Sequence, residues 1–367
     1  MRKLKTASIG GFGHSVIVFD EMIGLEDVSL ASYAPAYENE PLDIVTSHKI
    51  YNDQVKRFDD WRKMLEEVKP DVAIISTRLD KLTEISIAAA DAGCNIICEK
   101  PLALTHSSLA ELYEAVKKNN VELFAMHTMR SEGAFIAARE IYRKGLIGEV
   151  VLANGRKSYK WGTRPDWFAK RESYGGTIGW VGIHALDCIH YITGARASQS
   201  SIGFDTVMAM QGNFMHPDFP GCEDNCVLIL QLNNGGHATV SVDFCRPSSA
   251  PTHGDDWVRI VGTKGVIEAN ASRGTCNLIR DSGLVSRRST MRLSTGVSGL
   301  AARETENVPV AQNSKMFRNF LLSLLGKNEY EPELSTKDGF MLTHVCLCAR
   351  DAADTGKMIK IEKGPSD

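Results

Sequence analysis

The sequence predicts an α/β chain whose first part is a doubly wound parallel sheet and whose second part is an α+β domain on a large, open, mostly antiparallel sheet. Three observations carry this prediction. Up to about Ala125 short apolar runs alternate with helix-period segments, the rhythm of βαβ units. Beyond Arg130 the rhythm gives way to runs with period-two alternation, 226–232 and 237–244, joined through Asn233-Asn234-Gly235-Gly236, a hairpin signal. The 367 residues exceed what a single hydrophobic core organises, so two domains are expected, 1–126 and 127–367.

Ala7-Ser8-Ile9 is the first strand, residues 15–22 make the first helix, and 28–33 read as the second strand. Phe58, Trp61, Leu65 and Val68 form one helical face that Lys69-Pro70 ends. Residues 71–77 suit a buried strand. Leu79, Leu82, Ile85 and Ala89 recur at helical spacing as far as Gly93, a carboxyl-terminal cap, and 95–98 is the next strand. Ser108 and Glu111 have capping-box spacing for a helix carrying Leu109, Leu112 and Val116, with Lys117-Lys118 at its negative end. Residues 121–126 close the series.

A helix to Tyr142 and a strand over 149–154 open the second half, and 257–261 and 266–269 add strands around Gly262-Thr263-Lys264-Gly265. Residues 280–306, rich in serine, glycine and arginine, read as a long exposed loop, either a lid or oligomer arm or a plain surface connection. Met316, Phe317, Phe320, Leu321, Leu324 and Leu325 mark a helix, and 338–355 another.

Composition narrows the partners. The 42 basic residues against 45 acidic ones give a net charge of -3, too little field to gather nucleic acid or an anionic membrane, so a small molecule is the expected partner. Neither the apolar core of a secretion signal nor a run long enough to cross a bilayer is found, and a cytoplasmic location is expected. Nine cysteines, an odd number set in apolar runs, suit reduced thiols rather than a disulfide framework. Cys222 and Cys226 have no companion pair at zinc-site spacing, so no metal is expected.

Chemistry concentrates in two places. Gly11-Phe12-Gly13 follows a strand and precedes a helix, the context of a pyrophosphate site, although Val16 stands where a third small residue belongs and an ordinary tight turn would look the same. In such a sheet ligands gather outside the carboxyl ends of the strands, where Glu99-Lys100-Pro101 also falls, so cofactor and proton-handling lysine are expected together. No ribose-binding acid ends the second strand, where Tyr33-Ala34-Pro35 stands, and Glu38 is either a ribose ligand or a solvated residue. The second place runs from Tyr174 through Gly175, Gly176, Gly179 and Gly182 to His184, Asp187 and Cys188 on one helical face. His184 is a candidate proton acceptor, with a hydrogen-bonded core histidine, or a metal pair with Cys188, as the alternatives.

In their order, Gly11-Phe12-Gly13, Glu99-Lys100-Pro101, Gly145 to Val150, Gly175-Gly176 through His184 and Asp187, and Gly262-Thr263-Lys264-Gly265 resemble the Gfo/Idh/MocA oxidoreductases across almost the whole chain. The resemblance implies an amino-terminal Rossmann domain, a bound NAD or NADP, a cis peptide before Pro101, and self-association as a homodimer or homotetramer through the carboxyl-terminal sheet. It implies hydride transfer to or from a secondary alcohol of a sugar, sugar acid or cyclitol, with His184 as base and Lys100 stabilising the alkoxide. An NAD-dependent glycosidase working by transient oxidation and a non-catalytic regulator are the alternatives. The expected cofactor contacts are Gly11, Phe12, Gly13, His14, Tyr33, Ala34, Ser76, Thr77, Arg78, Glu99, Lys100 and Pro101. Substrate contacts are expected from Arg130, Trp161, Arg164, Trp167, Tyr174, Trp180 and Asp187, with Arg164 and Arg171 as candidate carboxylate receptors. Three positions depart from the family pattern: Trp180 stands where many members carry aspartate, Arg78 where proline is usual, and Leu82 where histidine is common. An aromatic side chain at 180 would suit stacking on a sugar ring.

Overall fold

The computed structural model describes residues 3–194, 202–251, 255–281, 303–310, 312–327 and 329–366. Its first sheet contains β1 (Leu4–Ile9), β2 (Val28–Ala34), β3 (Lys56–Arg57), β4 (Val72–Ile75), β5 (Asn95–Cys98) and β6 (Leu123–Ala125). They are parallel, in the order β3-β2-β1-β4-β5-β6. The order reverses between β1 and β4, and there a crevice opens at the carboxyl ends. The crossovers contain α1 (Ser15–Met22), the single turn α2 (Asp43–Thr46), α3 (Trp61–Val68), α4 (Leu79–Asp91) and α5 (His106–Asn119). Covered on both faces, β4 is buried throughout, which is why its sequence is apolar without alternation.

Two helix starts differ from the sequence reading. Asp60 caps α3 by accepting from the Arg62 N–H, so Phe58 precedes the helix and donates its N–H to Tyr33 O beside β3. The capping box of α5 is Thr105 with Ser108, because Thr105 is extended and accepts from Ser108 N, leaving Ser108 inside the first turn.

The second sheet contains β7 (Val150–Lys160), β8 (Phe204–Gly212), β9 (Asn225–Leu232), β10 (His237–Arg246), β11 (Trp257–Gly262), β12 (Gly265–Asn270), β13 (Thr275–Asp281), β14 (Arg303–Asn307) and β15 (Ile359–Lys360). The order is β14-β13-β12-β11-β7-β10-β9-β8-β15. Its pairings are antiparallel except that β7 runs parallel to β10. Flanked by β10 and β11, β7 extends well past the expected 149–154. Strands β8, β13, β14 and β15 were not anticipated. The ends of the 280–306 segment belong to β13 and β14, and the rest of that expected loop lies outside the described residues.

With this sheet go α6 (Gly133–Arg143), the short α7 (Arg171–Tyr174) and α8 (Ile183–Ile192), and the chain ends through α9 (Met316–Leu324) and α10 (Thr336–Thr355). Every residue of α8 is buried. It lies on β7 at Gly155, where an added Cβ would meet Ala185 Cβ at 3.2 Å and Ile189 Cδ1 at 3.3 Å. Helices α9 and α10 return to the first sheet. Glu21 of α1 accepts from Phe317 N and Arg318 N at 2.8 and 2.9 Å, Leu123 N donates to Thr336 Oγ1 at 3.0 Å, and Leu102 N donates to Thr343 Oγ1 at 3.2 Å. Because α10 also packs on β8, it binds the two sheets together.

Gly155→Val forces a branched side chain into the contact of β7 with α8. A loss of about 1–3 kcal/mol is expected from overpacking, read as a lower urea midpoint with an unchanged slope.

Candidate active site

The glycine loop is held by hydrogen bonds to neighbouring strands. Gly10 N donates to Ala34 O and Phe12 N to Ser76 O, both at 3.0 Å, while the Ser76 hydroxyl donates to Phe12 O. Gly10 and Gly13 have φ of +92° and +103°, and a Cβ on Gly13 would stand 2.2 Å from Glu99 Oε1. Glycine is therefore required twice, for conformation and for close approach. Glu99 reaches the start of α1: its Oε1 accepts from His14 N at 2.5 Å and lies 2.7 Å from His14 Nδ1. Burial pushes the Glu99 carboxyl up, but His14 and Lys100 outweigh it and hold it below the usual range.

Glu40, which sequence reasoning missed, is the buried acid here, while Glu38 is exposed. Glu40 accepts from Ala36 N and Thr77 Oγ1, both at 2.6 Å. Burial raises its pKa against these bonds and one from Gly11 N. Tyr33, Glu40, Leu42, Asp43, Thr46 and Arg57 line a cavity of about 190 Å³ beyond β2, where an adenine ribose belongs in this fold. Arg78 is occupied by Asp80, with Nε 2.7 Å from Oδ1. A dinucleotide fits the residues present: strand order and glycine turn match, and the buried Ser15 hydroxyl, in the first turn of α1, has no protein partner. Glu99 and Glu40 already accept from N–H groups of that loop, so phosphates would bind among donors these acids share.

The second domain meets this crevice through its glycine run. A Cβ on Gly175 would lie 2.4 Å from Leu104 Cδ2, and one on Gly179 would lie 3.2 Å from Pro101 Cγ. Residues Ile178–Gly182 form a π-helical turn leading into α8, an irregularity that frees peptide groups from the regular ladder. Lys100, 1% exposed, donates to Trp180 O at 2.9 Å and sits 3.3 Å from the centre of the Trp180 ring. The Lys100-Pro101 peptide is cis. Burial lowers the Lys100 ammonium to about 7, with Glu99 opposing the shift and Lys157 and Arg164 adding to it. His184 is also buried, one turn after Trp180, with Nδ1 unpartnered and its ring 6.3 Å from that of His14. Burial lowers its pKa well below the ordinary value, assisted by Lys100, Lys157, His14 and His127, so the imidazole is neutral at physiological pH.

The expected substrate residues separate into groups. Arg130 and Asp187 are buried against each other, Nε to Oδ1 at 2.7 Å, with His127 Nδ1 3.1 Å from the same oxygen and Asp338 on the far side of the guanidinium. Burial pushes Asp187 up, but Arg130 and His127 hold it below its usual value. The Arg130–Asp187 pair braces the start of α8, while Asp187 Oδ2 stays buried without a hydrogen-bond partner. Tyr174 is a core residue, fully buried, stacked on Phe168 and hydrogen-bonded to Thr177. Arg171 is held by Glu223 and Asp354. Trp180 is only 8% exposed, with Lys100, Phe12 and Phe168 packed against its ring. Trp161 stacks on His216 at 3.8 Å. Trp167 and Arg164 stay partly exposed, Trp167 against the edge of Phe12. Lys157, unmentioned in the sequence reading, is buried with its Nζ 3.1 Å from Asp256 Oδ2. Only strand alternation along 150–160 could have found it. Among the described residues no group of three His, Cys, Asp or Glu is placed to hold a metal, and no helix is long and apolar enough to cross a membrane.

Comparison with known proteins agrees with this geometry. Residues 46–127 match the model of an oxidoreductase family with an NAD-binding Rossmann fold, and residues 135–268 match the GFO/IDH/MocA C-terminal domain. The chain belongs to the Gfo/Idh/MocA oxidoreductases. A solved Thermotoga maritima structure, assigned provisionally as an oxidoreductase, superposes with a TM-score of 0.83 at 31% identity, covering 97% of this chain and 100% of that one. An uncharacterized oxidoreductase of Streptococcus pneumoniae is 30% identical over 57% of this chain and 55% of its own length. Levoglucosan dehydrogenase of Pseudarthrobacter phenanthrenivorans is 28% identical over 58% and 59%. The chain thus spans little more than half the length of these curated relatives. In the family frame the first domain of this chain is the NAD-binding Rossmann domain, and Lys100 and His184 come from opposite sides of the junction between the domains.

Two stability measurements probe this junction. Lys100 has a folded pKa below its unfolded value, so the unfolded chain binds more protons between about 7 and the usual lysine range, and stability rises with pH across that window. Lys100→Met is expected to melt above the wild type at pH 7, the gap narrowing as pH approaches 10. Asp187→Ala leaves the Arg130 guanidinium buried without its main partner and is expected to cost about 3–5 kcal/mol, seen in chemical denaturation.

Proposed function

We propose that this protein is an NAD-dependent dehydrogenase acting on a secondary alcohol of a sugar, sugar acid or cyclitol. The observation that carries the reading is that a buried lysine from the loop after β5 bonds the Trp180 carbonyl one helical turn before the buried His184, so that both groups meet at the domain junction. The name of the levoglucosan dehydrogenase relative supports a carbohydrate substrate. When bound, NAD supplies the acceptor for a hydride. His184, uncharged, takes the hydroxyl proton as the C–H electron pair departs. The Lys100 ammonium, fixed by Trp180 O, faces the negative charge that gathers on the substrate oxygen and stabilises it without reorganising. In the reverse direction His184 returns the proton. Arg78 and Glu40 flank the cofactor crevice on the β2 and β4 side, and Phe12 and Trp167 close it on the substrate side.

We also propose that the partner at the second sheet is another copy of this chain. Met208 lies opposite Ile229 and Met210 opposite Val227, and these four side chains, 41–72% exposed, form an apolar patch on the open face of the sheet. A homodimer or homotetramer buries such a face.

Lys100→Met is expected to lower turnover about a hundredfold to a thousandfold, and His184→Ala about a hundredfold to ten-thousandfold, with NAD still bound. The assay is nicotinamide absorbance over a panel of sugars, sugar acids and cyclitols. Near-native turnover in Lys100→Met ends the assignment, and release of sugar from glycosides without accumulating NADH replaces it with transient oxidation.

A further inference from the structure

Resting on the dehydrogenase reading, a finer property of the same cleft follows from how its cations are balanced. Arg130 has Asp187 and Asp338, Arg156 has Asp255, Arg171 has Glu223 and Asp354, and Lys157 has Asp256. Arg164 differs. Among the described residues no carboxylate pairs with it. Its guanidinium carbon lies 4.6 Å from the Phe244 ring centre, 5.5 Å from Phe168 and 5.8 Å from Trp161, and Nη2 donates to Lys160 O at 3.3 Å. Nε is buried without a partner. A cation walled by aromatic rings and lacking a counter-charge is costly to hold unless a ligand completes it.

Its position connects it to the reacting end. Phe168 touches both Phe12, at 6.2 Å, and Trp180, at 5.9 Å, and Trp180 covers Lys100. Two aromatic rings therefore separate the guanidinium from the Lys100 ammonium, and Arg164 remains partly open to solvent. We propose that Arg164 determines specificity by receiving a carboxylate of the substrate, so that sugar acids are preferred over the corresponding neutral sugars. A guanidinium presents paired donors that match a carboxylate in its own plane, while the aromatic walls exclude water from the contact. Of the nearby acids, Asp256 is paired with Lys157 and Glu99 with His14, so neither takes up the Arg164 guanidinium. A bound carboxylate also cancels one of the two cations that depress Lys100, so the ammonium form needed for alkoxide stabilisation persists to higher pH.

The experiment compares full-length wild type, Arg164→Gln and Arg164→Lys, each loaded with NAD. Binding of uronates and aldonates and of their neutral parents is measured by calorimetry, and turnover by nicotinamide absorbance. The ratio of acid to neutral affinity is expected to fall about tenfold to a hundredfold in Arg164→Gln and to recover in part in Arg164→Lys. An unchanged ratio overturns the proposal, as does a panel in which no acid binds more tightly than its parent. Arg164-dependent binding of an acid without NAD reduction sustains the proposal and removes the dehydrogenase reading. Oxidation of neutral sugars with the ratio unmoved does the reverse.

Discussion

A lysine ammonium buried against a peptide oxygen from the other half of the chain is the contact around which the candidate site of this molecule is arranged. Lys100 leaves the parallel sheet just past β5, and Trp180 O belongs to the turn that starts α8. For the two to meet, the backbone of Gly179 must come within reach of Pro101, and the helix must open into a π turn. Removing water from the lysine costs stability, as its lowered pKa records. The same desolvation leaves an amine whose proton is held loosely near neutrality, beside an imidazole that stays uncharged for the same reason.

Charge placement follows one pattern around that contact. Acids that lie near the crevice are each tied to a neighbour: Glu99 to His14, Glu40 to Thr77 and the Ala36 peptide, Asp256 to Lys157, Asp187 to Arg130. Lys157 and Arg164 in turn help burial to lower the Lys100 ammonium. In a low-dielectric setting such coupling is a property of the whole cleft more than of any one side chain.

Much of the first domain was legible because a parallel sheet covered on both faces writes itself as short apolar runs, and β4 and β5 do so plainly. The start of α5 was misplaced by three residues because Thr105 and Ser108 are both good caps, and only the extended backbone at Thr105 decides between them. Strand β8 escaped notice because its outward positions, Met208 and Met210, are apolar, so the period-two signal is lost where the sheet face is exposed but hydrophobic. In the site, Lys100 and His184 stood out through their surrounding motifs. Which arginines are free did not, since the acids that occupy Arg130 and Arg171 come from 52 to 208 positions away in sequence. The packing of the Trp180 ring was hidden for a related reason: Lys100, Phe12 and Phe168, which meet it, lie 12 to 168 positions away in sequence.

The return of α10 to β6 and α5 has a consequence for how this protein can be taken apart. Thr336 and Thr343 satisfy the N–H groups of Leu123 and Leu102, and α10 rests on β8 as well. A fragment ending near residue 126 would hold every strand of the parallel sheet, yet expose an apolar flank and two unsatisfied amides where α10 had been. Nucleotide capture and substrate selection are in that sense inseparable modules: swapping one domain for a homologue's requires carrying along the terminal helix that clasps both.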